Sequence, residues 1–110
     1  MKKAINDKTL TIIFDGVELG TKGQLLASMK EGLSLPDYFG MNWDALDEVL
    51  QDLSWLEGIK TVEITFTNSN MILSADTDEN KAIFRESMDS AVEYWMTVED
   101  GLTFIVEYKD

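Results

Sequence analysis

Apolar and polar positions along the chain follow two periods, and the switches between them mark out the elements. Leu10-Thr11-Ile12-Ile13-Phe14 is a β-branched and aromatic run closed by Asp15-Gly16, which predicts a central strand buried on both faces. From about Gly23 to Glu31, Leu25, Leu26 and Met29 recur at helical spacing, and Gly32 stands where a helix-ending glycine is expected. Leu35-Pro36 and Gly40 then break the chain. Asn42 is placed to cap a second helix that carries Leu46, Val49, Leu50 and Leu53 on one stripe.

Thr61 to Thr67 alternates apolar and polar residues with period two, which predicts a strand with one wetter face, placed at an edge. Asn68-Ser69-Asn70 ends it, and Met71 to Ala75 fits a single helical turn. Asp76-Thr77-Asp78-Glu79 reads as a capping box with Asp76 as the cap. Phe84, Met88, Ala91, Val92 and Trp95 continue from it as a long apolar stripe. Glu99-Asp100-Gly101 makes a turn, and Leu102 to Tyr108 is the last strand. Strands alternating with helices imply right-handed β-α-β crossovers. The expected fold class is α/β: a small three-stranded parallel sheet with helices packed on it and the first strand in the middle. With no linker or internal repeat, residues 1–110 are expected to form a single domain.

Composition narrows the chemistry. The chain has 21 acidic against 9 basic residues and a formal net charge of -12. Such a protein is repelled by phosphate backbones and anionic membranes and is steered toward basic clefts, so a protein partner is expected and direct nucleic-acid binding is not. There is no Cys and no His, which removes the thiol nucleophile, the usual general base and the commonest metal ligand. No glycine-rich phosphate loop is present. Asp76-Thr77-Asp78-Glu79-Asn80 starts like a calcium loop, but Lys81 stands where glycine is needed and Ser87 where glutamate is needed. Neither enzymatic activity nor a cofactor or metal is expected. Lys2 and Lys3 are followed by no apolar segment, and no run approaches membrane-spanning length, so a cytoplasmic location is the expectation.

The charge is concentrated. Asp44, Asp47, Glu48 and Asp52 fall on the predicted second helix with no Lys or Arg among them, although like charges at i, i+4 destabilise a helix by a few tenths of a kcal/mol per pair. One reading is a solvated face whose first acid, Asp44, gains from the helix dipole; the other is a docking surface for cations. Glu79, Glu86 and Glu93 recur at seven-residue spacing further on, softened by Lys81 and Arg85. Of the nearby aromatics, Phe39, Trp43 and Trp55 read as core. Tyr38, in the loop beside the acids, reads equally as core or as an interface anchor.

The segment Leu35-Pro36-Asp37-Tyr38-Phe39-Gly40-Met41-Asn42-Trp43-Asp44-Ala45-Leu46 closely resembles the signature of the barstar family, intracellular inhibitors of barnase-type secreted ribonucleases. The similarity runs without a gap from about Leu10 to Leu50 and more weakly to the end, where Phe84-Arg85-Glu86 matches a second family motif. The resemblance implies an inhibitor or immunity protein that is monomeric when free. It would plug the active site of a cationic ribonuclease in a 1:1 complex, with an acidic helix and its preceding loop. Carried over residue by residue, it implicates Tyr38, Gly40, Asn42, Asp44 and Glu86. Glu48 stands where the prototype has its central aspartate, and Asp47 where it has an interface tryptophan, so the target need not be barnase. The alternative is a regulatory or scaffold module that kept the fold without nuclease binding.

Overall fold

The computed structural model describes residues 1–110. Seven elements run in the order β1 (Lys2–Asn6), β2 (Thr9–Asp15), α1 (Lys22–Gly32), α2 (Trp43–Leu50), β3 (Thr61–Thr67), α3 (Asp78–Thr97) and β4 (Thr103–Tyr108), with short 3₁₀ turns at Gly16–Glu18 and Ser69–Met71. The sheet order is β1-β2-β3-β4. The three expected strands pair in parallel, β2 with β3 and β3 with β4, as an α/β fold requires.

Three expectations about the sheet need correction. First, it has a fourth strand: β1 pairs antiparallel with β2 through the two-residue turn Asp7-Lys8, where both residues have positive φ (49° and 67°). All five β1 residues are exposed, so no burial period marks the strand, and Asp-Lys is not the Asn-Gly pair that signals such a turn. Second, the middle strand of the parallel three is β3, not β2. Third, β2 is not buried on both faces: Leu10, Ile12 and Phe14 are buried and the residues between them are not. Interior strands of a sheet with one open face alternate just as edge strands do, so the period reported a wet face and not a position in the sheet.

The core lies on the other face. Leu10, Ile12 and Phe14 of β2, Val62, Ile64 and Phe66 of β3, and Phe104 of β4 pack against Leu25, Leu26 and Met29 of α1, Leu46, Val49 and Leu50 of α2, and Phe84, Met88 and Ala91 of α3. Strand register puts Phe14, Phe66 and Tyr108 side by side. Their rings stack at 5.4 and 5.5 Å, and Phe84 meets Phe66 edge-on.

The helix ends differ from expectation in instructive ways. Thr21 and Gln24 form a reciprocal capping box at the start of α1. Gly32 is the last residue of α1 and not the residue after it. Its missing side chain makes room for Phe14, because a Cβ would lie 2.6 Å from that ring, and the left-handed residue of this turn is Ser34 (φ 52°). The cap of α3 is Thr77, whose hydroxyl accepts the Asn80 N–H at 3.1 Å; Asp76 does other work. Finally, α2 stops at Leu50, so Leu53 is buried just beyond the helix and not on it.

Candidate functional site: an acidic helix and its loop

Two apolar residues shape the loop before α2. Leu35 and Phe39 are both buried, and the Phe39 N–H donates to the Pro36 carbonyl at 3.0 Å, which closes a tight turn. Between these pins Tyr38 projects outward, 73% exposed, which excludes the core reading for it. Met41 takes a left-handed conformation (φ 52°), a strained one for a side-chain-bearing residue. It turns the chain into α2.

Asn42 caps α2 as its position in the sequence suggested. Its Oδ1 accepts the Ala45 N–H at 2.8 Å and its Nδ2 donates to the Gly40 carbonyl at 3.2 Å. The side chain therefore locks loop to helix from both of its ends, and a Cβ on the exposed Gly40 would press on it at 3.2 Å. Leu46, Val49 and Leu50 turn inward, and the indole N–H of Trp95 on α3 donates to the Leu50 carbonyl at 2.8 Å, satisfying an otherwise orphaned group at the helix end.

That packing fixes where the acids go. Asp44 and Glu48 are exposed on α2, one turn apart. Asp47 is not an exposed member of the set: it is half-buried, and its Oδ1 is shielded from solvent without a hydrogen-bond partner. Asp52 is exposed but lies past the end of α2, where its Oδ1 accepts the Ser54 N–H at 3.3 Å, so the carboxylate row along the helix is shorter than its spacing suggested. The ion pairs of the molecule are Met1 with Glu18, Lys81 with Asp78 and Lys109 with Glu107. None of them involves α2, so its carboxylates form no ion pair within the chain. Glu86 is exposed on α3.

Asn42, Asp44 and Asp47 come together with Lys22, Trp43 and Ile83 around an open groove of about 500 Å³. Tyr38, Gly40, Glu48 and Glu86 do not line it. Trp43 is buried, as expected, but its indole N–H donates to Asn80 Oδ1 at 3.0 Å and Lys22 Nζ lies 5.6 Å from its ring centre. The sequence reading missed Lys22, Asp76 and Asn80 here. The spacing of Asp76 and Asn80, one helical turn apart, was the available signal. No group of three or more acidic residues is arranged to hold a metal ion, and no helix is long and apolar enough to cross a membrane.

Fold and site define a small α/β protein that presents an acidic, internally unpaired helix next to a loop tipped by one aromatic ring. Over residues 9–109 the sequence matches the family model Barstar (barnase inhibitor), and the chain belongs to that family. The resemblance first read in Leu35 to Leu46 is thereby borne out over nearly the whole chain. A comparison with curated proteins finds no match.

Proposed function

We propose that this protein is an immunity protein that binds a cationic bacterial ribonuclease toxin 1:1 in the cytoplasm and blocks its active site with α2 and the preceding loop. The observation that carries this reading is the set of α2 carboxylates, none of which forms an ion pair within its own chain. Membership in a family described as barnase inhibitors supplies the kind of partner. The mechanism is physical and needs no turnover. Asp44 and Glu48 accept charge-assisted hydrogen bonds from the basic groups with which the nuclease holds substrate phosphate. Tyr38 and the exposed Gly40 backbone fill the space around those ion pairs, Asn42 fixes their geometry, half-buried Asp47 adds its charge at the groove it lines, and exposed Glu86 extends the negative surface. Substrate is then excluded from the active site.

The test is a titration of a barnase-type ribonuclease, and of any nuclease encoded beside this protein, with the purified chain. Stoichiometric loss of RNA cleavage, relieved in Asp44→Ala, is the expected result. Undiminished cleavage of RNA by every such nuclease at micromolar protein would overturn the reading.

A further inference from the structure

A chain of hydrogen bonds joins the three helices at their amino ends. Asp76, in the loop that enters α3, accepts the Lys22 N–H of α1 at 2.7 Å and the Thr77 N–H at 2.8 Å. Its Oδ1 also accepts Asn80 Nδ2 at 2.7 Å, and Asn80 Oδ1 accepts the indole N–H of Trp43 at 3.0 Å. Trp43 is the first residue of α2. One carboxylate thus ties together the starts of α1, α2 and α3, and the bonds from Asn80, Lys22 and Thr77 hold it in its charged form.

The link matters because α2 cannot orient itself. With eight residues it is about 12 Å long, well below the length at which an isolated helix is stable. Its attachments therefore decide its direction: the Trp95 bond to Leu50 at one end and the Trp43 bond to Asn80 at the other. Apolar packing alone tolerates small rotations, whereas a directional polar chain selects one. Lys22 and Trp43, both tied into this chain, are also two walls of the groove that opens onto Asp44 and Asp47.

We propose that Asp76 and Asn80 are positioning residues for docking. Acting through Trp43, they set the first turn of α2, and with it Asn42, Asp44 and the neighbouring groove, in the orientation that the cationic partner meets. Neither residue touches the partner. The identity of what docks rests on the inhibitor reading above; the orientation of α2 does not.

The experiment compares the wild-type chain, Asn80→Ala, Trp43→Phe and the double variant Trp43→Phe/Asn80→Ala. Hydrogen exchange is measured on the free protein, and association and dissociation rates are measured with a barnase-type ribonuclease. Asn80→Ala is expected to speed exchange at the Ala45 and Leu46 amides about three- to tenfold, the equivalent of about one net hydrogen bond. Dissociation should accelerate by a similar factor, while the β2 and β3 amides keep their protection. Trp43→Phe keeps an aromatic ring but removes the indole N–H that Asn80 accepts, so in that background Asn80→Ala should change exchange and dissociation by less than about twofold. A loss at Asn80 that did not act through Trp43 would instead add in full. Unchanged exchange in α2, faster exchange with unchanged dissociation, or additive losses in the double variant would each overturn the proposal. Should the wild-type chain leave the ribonuclease uninhibited, the inhibitor reading fails instead, and exchange in the four proteins decides the positioning role by itself.

Discussion

At the scale of single residues, Gly16 shows how little room the turn after β2 allows. A Cβ there would come within 2.1 Å of the Asn68 carbonyl oxygen, and backbone cannot move aside as a flexible side chain can. Gly16→Ala should therefore destabilise the protein by about 1–3 kcal/mol, read as a lower urea midpoint with an unchanged slope. The binding face makes a second prediction at this scale. With its nuclease, Asp44→Ala and Glu48→Ala should each cost about 2–5 kcal/mol of affinity, a range that rests partly on charge pairs in the prototype complex of this same family. Asp52→Ala and Glu93→Ala should cost about 1 kcal/mol or less and act through a slower, salt-sensitive association. The position of Asp52 beyond the end of α2 strengthens that ranking. Equal losses from all four variants in a titration of nuclease activity would mean that only net charge matters.

At the scale of elements, the β1–β2 hairpin is closed by Asp7-Lys8, both in the left-handed region where glycine is favoured. Lys8→Gly should relieve that strain and stabilise the protein, by about 0.5–1 kcal/mol after allowing for glycine's extra freedom in the unfolded chain. Thermal unfolding would show it, and a lower Tm would mean that the Lys8 side chain contributes more than its backbone costs. Helix ends carry the complementary lesson. Asn42 is legible as a cap because a side-chain acceptor three residues before a free N–H is a local arrangement. Asp76 suits the cap of α3 for the same local reason, yet it serves α1, 54 residues away in sequence, and Thr77 caps instead. Local rules identify a residue able to cap; only packing shows which N–H it meets.

At the scale of the whole molecule, stability should be confined to a middle range of pH. Asp15 is held below the ordinary carboxylate value of 3.8 by the Asn68 side chain and the Val17 N–H, and Asp76 by Asn80, Lys22 and Thr77. For a depressed pKa the stabilisation is complete above the unfolded value and is lost as pH falls through the folded one. The acid limb should therefore begin near pH 4 and deepen below it, and Asp76→Asn should flatten it. On the alkaline side, burial pushes Tyr108 up to about 12, although Arg85, 3.7 Å above its ring centre, acts in the opposite direction. The fold then keeps a proton that the unfolded chain releases from about pH 10, so stability should fall between 10 and 12. Tyr108→Phe should remove this part of the alkaline loss at little cost near neutrality, since the hydroxyl has no hydrogen-bond partner to lose. Urea unfolding across pH, wild type against the two variants, checks both limbs.

Much of this protein was legible in its sequence because the information is local or periodic. Three strands, three helices, the inward stripe of α2 and the concentration of acids on it follow from residue types at fixed spacing. So does the family resemblance, which rests on one short contiguous segment and extends over residues 9–109. What tertiary structure decided involves partners far apart in sequence. Whether a strand is interior or at an edge depends on its neighbours and not on its own alternation, so β3 reads alike in either place. A fully exposed strand such as β1 carries no burial period and exists through pairing with β2. Gly32 looked like a helix stop and proved to be a space left for Phe14. The candidate site divides along the same line. Its charges are written in the residues of α2, but their orientation depends on hydrogen bonds to α3 and its entry loop, spanning tens of residues, that no spacing rule anticipates.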